Sequence, residues 1–196
     1  MGTISTEGTP VALASGSVGS TPSFPISISG HLLLVYKNDA GAEFVIRGGP
    51  TPDGETYGNL IVEINVPIAA SADRRTSQID GSTVAAEDRG NTTVNFGDRD
   101  PDKGWEILKQ HAANIHSAGF AYSPLGFNSN GTIGNLLSVV GISIENYEPN
   151  PDGMMLVSFS GKDLEFSFDY SLCGTEDNDI LVGRGGKQTF FGDAAR

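Results

Sequence analysis

The chain has 196 residues, enough for one domain with a real core, and carries 24 acidic against 12 basic side chains for a net charge of −12. That excess repels a phosphate backbone and argues against a nucleic-acid partner. One cysteine excludes a disulfide framework and a cysteine-based zinc site, and three scattered histidines leave little for a transition metal, so any metal should be a hard one held by oxygen.

Residues 1–30 contain no Lys or Arg and 19 Ser, Thr, Gly or Pro, so the basic and apolar regions of a secretory signal are both missing. Residues 1–23 are expected to be a flexible polar leader, with Phe24, Ile26 and Ile28 starting an edge strand limited by Pro25. The strongly apolar runs Leu32–Tyr36 and Leu60–Val62 are far too short to cross a bilayer, so no membrane span is expected.

Two β-rich segments, His31–Lys37 and Glu43–Arg47, flank a turn of Asn, Asp and Gly and predict a hairpin. A third strand fits Asn59–Val66, ended by Pro67, and the Gly- and Pro-rich run Gly48–Gly54 between them must be a loop. Ala69–Gly90 reads as a long exposed excursion, followed by a short strand at Thr92–Phe96. Asp100 before Pro101 is a helix start, and Trp105, Leu108, Ala112 and Ile115 recur on one face, so a helix is expected over 101–118, closed by Gly119. His111 and His116 fall on opposite flanks of that stripe, as helix-surface residues unable to share a metal.

A second helix should follow Asn128-Ser129-Asn130, because Ile133, Leu136, Leu137 and Val140 keep helical spacing and Gly141 supplies the stop. Met154–Phe159 and Leu164–Tyr170 around Ser160–Asp163 predict a second hairpin, and Leu164, Phe166, Phe168 and Tyr170 alternate with polar residues. The fold class is α+β, an antiparallel sheet with two helices. Cys173, ending that last strand, reads as a small buried hydrophobe.

From Gly174 onward, Gly174 and Gly183, Gly183 and Gly192, and Leu181 and Phe190 lie nine residues apart. This tail resembles the RTX, or hemolysin-type, calcium-binding nonapeptide, in which Gly-rich turns alternate with short strands and Ca²⁺ sits between turns. The resemblance implies the start of a β-roll over 173–196, with Gly174, Glu176 and Asp179 as metal-site residues and Gln188 standing where the second unit should carry its carboxylate. Successive units of a β-roll lie on alternate edges, so Asp179 would need a partner at position 197, and weak Ca²⁺ binding is expected. The resemblance also implies export by type I secretion machinery and an extracellular protein. The stop at Arg196 without a recognisable secretion tail suits a fragment of a longer RTX protein.

The middle of the chain, residues 24–172, resembles the permuted papain-like proteins, the group of LRAT-like acyltransferases and PPPDE peptidases, in which a strand histidine precedes a helix opening with Asn-Cys. The matching stretches are GHLLLVY at Gly30–Tyr36 and YSPLGFNSNGTIGNLL at Tyr122–Leu137, with Ser129 where the family has cysteine. The resemblance implies a papain-like domain in which His31 activates Ser129 for acyl transfer or for hydrolysis of an amide or ester, with Asn128, Asn130 and Arg47 contacting substrate. Free backbone N–H groups at the helix start would assist an oxyanion. Ser129 and His31 should then meet although 98 residues separate them.

The residue types permit blander readings. Asn, Ser and Asn are all preferred helix caps, and on that account Asp would serve in place of Ser129. His31 would then be a half-buried strand histidine, and Arg47 a partner for a carboxylate such as Glu43. Two functions stand side by side: a secreted Ser–His hydrolase or acyltransferase of an RTX-type protein, and a non-catalytic relative of the same fold serving recognition or adhesion.

Overall fold

The computed structural model describes residues 1–11, 29–51, 57–72, 90–149 and 159–192. Five strands form one antiparallel sheet: β1 (Thr3–Val11), β2 (Ser29–Lys37), β3 (Glu43–Pro50), β4 (Leu60–Pro67) and β5 (Asn91–Thr93), in the order β4-β3-β2-β1-β5. The hairpin of β2 and β3 and the following strand lie where the hydrophobic pattern placed them, but β3 runs on through Gly48, Gly49 and Pro50, which were expected to be loop, because β4 offers them ladder partners from Val62 to Leu60. β5 ends at Thr93, where a strand to Phe96 was expected. β1 corrects the expectation of a flexible leader for its first part: Thr3–Val11 form an interior strand, paired from Thr3↔Lys37 to Val11↔Ser29, while residues 12–23 lie outside the described residues. A polar run of Ser, Thr and Gly becomes a strand here because β2 and β5 offer ladder partners on both sides. The expected strand at Phe24–Ile28 and most of the Ala69–Gly90 excursion lie outside the described residues.

β2 is apolar on both faces. Leu32 and Leu34 join Ile4, Ile46, Leu60 and Val62 in the main core under the helices, whereas Leu33 and Val35 join Val45 in a second cluster on the opposite face. A bulge in the β3–β4 ladder leaves Asn65 as the extra residue, at φ 55°, and its Oδ1 accepts the Nε1–H of buried Trp105 at 2.9 Å.

Helix α1 (Pro101–Ala118) has the expected ends: the Asp100 carboxylate accepts from Asp102 N–H at 2.9 Å, and Gly119 closes it at φ 66°. Its buried stripe is wider than the sequence pattern predicts. His111 is 1% exposed, against the rings of Phe168 and Tyr170 at 5.9 and 4.6 Å. The surface placement expected for His111 is therefore wrong, because the chain after α2 packs on a second side of α1. His116 is exposed as expected, and its Nδ1 accepts from Val62 N–H at 3.1 Å.

Helix α2 (Ser129–Val139) is buried along all eleven residues, between the sheet and the segment 159–168. Glycine makes that fit possible: a Cβ on Gly134 would stand 1.9 Å from the Lys162 carbonyl oxygen.

Among the described residues 164–169 form no strand, and the other arm of the predicted second hairpin, Met154–Ser158, lies outside the described residues. Side chains take the ladder's place. Asn135 Oδ1 accepts Phe166 N–H at 3.0 Å, and its Nδ2 donates to Leu164 C=O at 2.6 Å. The alternation holds from Phe166 to Tyr170, with Phe166 and Tyr170 buried, Phe168 half-buried and Glu165, Ser167 and Asp169 exposed, but Leu164, expected on the buried face, is exposed.

A small parallel sheet ends the fold. β6 (Tyr170–Cys173) pairs with β7 (Gln188–Phe191) in the register Tyr170↔Gln188 to Cys173↔Phe191, an offset of eighteen residues. The other edge of β6 is held by α1: Gln110 exchanges hydrogen bonds with the N–H and C=O of Cys173 at 3.0 and 3.3 Å, and Asn114 donates to Ser171 C=O at 2.8 Å. Two carboxamides one helical turn apart thus stand in for a neighbouring strand. Cys173 itself is exposed, which corrects its reading as a buried hydrophobe: the chain uses its backbone here.

Candidate functional site around Ser129 and His31

β2 and β3 pair directly only as far as Leu33↔Arg47. Beyond that point the first turn of α2 enters between them, and Ser129 bridges the gap: its Oγ donates to Leu32 C=O at 2.5 Å and accepts Gly48 N–H at 3.3 Å. Gly48 allows the approach, since a Cβ there would stand 2.8 Å from Thr132 Oγ1 and 3.0 Å from Ser129 Cα. Asn130 extends the same device, its Oδ1 accepting Leu32 N–H at 2.8 Å and its Nδ2 donating to Gly30 C=O at 2.9 Å and Ser160 C=O at 3.1 Å.

The cap of α2 is Asn128, whose Oδ1 accepts Gly131 N–H at 2.9 Å. Its Nδ2 donates to Pro124 C=O and Ser160 C=O at 2.7 and 3.0 Å. Both asparagine amides are therefore fully engaged by the chain's own backbone. Ser129 is the first helical residue and not the cap, so its hydroxyl is explained by the strands it joins.

His31 and Ser129 meet as the resemblance implied, with His31 Nε2 at 3.3 Å from Ser129 Oγ. Arg47 Nη2 lies 3.5 Å from the same ring nitrogen. The carboxylate beside Arg47 is Glu63 on the neighbouring strand, at 3.9 Å from Nη1, in place of the expected Glu43, which pairs with Lys37 at the far end of the hairpin. Glu63 also accepts from Ser71 Oγ at 2.7 Å and from Ala72 N–H at 3.3 Å. A lone acid within the apolar strand Leu60–Val66 was the signal that could have found it.

Proton bookkeeping decides what this arrangement can do. A serine hydroxyl has one hydrogen, and at 2.5 Å it belongs to Leu32 C=O. His31 Nε2 then meets a serine lone pair, either donating its own hydrogen to it or accepting from Arg47. Neither state draws the proton from Ser129. The pair is also covered, Ser129 being 2% and His31 7% exposed. Nearby, the Tyr122 ring lies tilted at 5.5 Å from that of the exposed Tyr57; burial raises the Tyr122 hydroxyl above the usual tyrosine pKa, while the charge of Arg47 pulls the other way.

The residues assigned to calcium are used by the fold. The Asp179 carboxylate accepts from the N–H of Thr175 and, at 3.1 Å, from its hydroxyl, closing the turn after β6. Gly174 N–H donates to Phe191 C=O at 2.8 Å, and Glu176 is exposed. Among the described residues, no three or more His, Cys, Asp or Glu side chains stand together in a way that could hold a metal ion. Among the same residues, no helix is long and apolar enough to cross a membrane.

Compared with known proteins, the chain matches no family model, no curated protein and no solved structure.

Proposed function

We propose that the chain is a non-catalytic module of papain-like architecture, serving recognition or adhesion in a secreted protein of RTX type. The observation that carries this reading is the hydroxyl of Ser129, which completes the ladder between β2 and β3 by donating to Leu32 C=O, in a residue only 2% exposed. The saturated amides of Asn128 and Asn130 support it from the same helix turn. The RTX-type element is supported by the eighteen-residue offset of β6 and β7, the spacing at which nine-residue units alternating between two edges would stack.

A second reading, a Ser–His hydrolase or acyltransferase, is favoured by the 3.3 Å approach of His31 to Ser129. It requires the Ser129 O–H to turn from Leu32 C=O to His31 Nε2, Oγ to attack an acyl carbon as Nε2 takes the proton, and the leaving group to receive that proton. A serine-directed fluorophosphonate separates the two. The wild-type chain is expected to remain unlabelled. Labelling that disappears in Ser129→Ala establishes the enzyme and removes the recognition reading.

A further inference from the structure

We propose that the parallel coil of residues 165–192 is closed by its own side chains in place of calcium, with the carboxamide of Gln188 plugging the carbonyl-lined turn Gly183–Gln188. The inference rests on the RTX-type reading of this coil and reaches the opposite expectation about its metal.

A calcium ion is held by six to eight oxygens, mixing turn carbonyls with carboxylates. The turn Gly183–Gln188 presents carbonyls, but they face a donor already in the chain: Gln188 Nε2 gives one hydrogen to Gly185 C=O at 2.9 Å and the other to Gly186 C=O at 2.6 Å. An NH₂ group pointing at two carbonyl oxygens occupies the electrostatic role of a cation without bringing a net charge. The turn also carries Arg184 and Lys187, whose charges oppose a second cation.

The carboxylates of the coil face N–H groups and not a carbonyl cage. Glu165 accepts Gly185 N–H, and Asp169 accepts Lys187 N–H at 2.8 Å, so each ties the segment before β6 to the turn about eighteen residues later. Asp179 closes the other turn on Thr175. Backbone bonds Phe168 N–H to Gly185 C=O (3.3 Å), Tyr170 N–H to Lys187 C=O (3.1 Å) and Gly174 N–H to Phe191 C=O (2.8 Å) run the length of the stack. Gly186 takes φ 91°, and a Cβ there would meet the Phe168 carbonyl oxygen at 2.2 Å, so the two passes lie in direct backbone contact at this point. The carbonyls of Gly185 and Gly186 and the carboxylates of Glu165, Asp169 and Asp179 are each bonded to another part of the coil.

The test is hydrogen–deuterium exchange on the full chain, in a calcium chelator and in millimolar calcium with magnesium as control. The amides of Phe168–Gly174 and Gly186–Phe191 are followed, and those of α1 and α2 serve as the internal reference. Wild-type protection of the coil is expected to be the same in chelator and in calcium. Gln188→Asp removes both amide hydrogens and supplies a carboxylate; its coil amides should exchange about tenfold faster in chelator and recover in calcium. Protection of the wild-type coil that appears only with calcium overturns the proposal while leaving the RTX-type reading intact. A Gln188→Asp chain as protected as wild type in chelator, or one that calcium fails to restore, overturns the plug. Coil amides unprotected in both solutions, beside protected helices, show that the coil itself is wrong and end the reading on which the proposal rests.

Discussion

In the antiparallel sheet, backbone meets backbone across four ladders, and side chains are left to fill the core; along residues 164–192 the backbone leans on Gln110, Asn114, Asn135, Glu165, Asp169 and Gln188. The site at Ser129 is where the two styles meet, since the sheet itself opens and a serine and an asparagine complete it. A ladder tolerates exchange of its side chains because its partners are common to every residue. A segment held by carboxamides and carboxylates depends on particular residues, and on pH where those groups titrate. The coil should therefore be the more easily separated part, and its losses should be local.

The sharpest break in that comparison is Gly134→Ala. Helix propensity favours alanine by about 1 kcal/mol, but its Cβ would meet the Lys162 carbonyl at 1.9 Å. The clash wins, and urea unfolding should show a loss of about 3 kcal/mol or more. A stabilised variant would mean that the segment over α2 is not seated as described.

Ser129 comes next. Ser129→Ala leaves Leu32 C=O and Gly48 N–H without their bridge and should lower stability by about 2 kcal/mol, whereas Ser129→Asp, which cannot donate and buries a charge, should lose about 3 kcal/mol. If denaturation finds Asp equal to the wild-type serine, the residue is only a helix cap and the bridge plays no part.

His111 tests the join between the two regions through pH. Burial lowers its pKa from 6.5 to about 4, and its Nδ1 has no hydrogen-bond partner among the described residues. The folded chain thus resists a proton that the unfolded chain accepts. Its contribution to stability is complete above pH 6.5 and is lost progressively as the pH falls from there to about 4, amounting to about 2 kcal/mol by pH ~5. His111→Phe should flatten that part of the stability profile, and an unchanged slope would place the titration elsewhere.

The smallest effect sharpens the contrast. Asn114→Ala removes one hydrogen bond to Ser171 C=O, worth about 1 kcal/mol, and should speed exchange in β6 and β7 while leaving β1–β4 untouched. Equal loosening of the large sheet would make the molecule one cooperative unit and dissolve the distinction.

Periodicity and punctuation alone determined most of the regular elements. The hairpin of β2 and β3, the strand β4, both helices with their Asp100, Asn128, Gly119 and Gly141 ends, and the approach of Arg47 to His31 all follow from apolar spacing and from residues whose chemistry suits a cap or a turn. Those signals are local, and a chain reads them within a few residues of itself. What they could not carry is the choice of partner across space. β1 is a strand because β2 and β5 flank it; His111 is buried because Phe168 and Tyr170 return to α1; Glu63 rather than Glu43 faces Arg47 because strand register decides which acid is adjacent. The serine at position 129 was equally suited to nucleophile and cap, and the fold made it a rung between two strands. A hydroxyl's role is set by where its single hydrogen goes, and only the assembled structure brings Leu32 C=O within 2.5 Å of it.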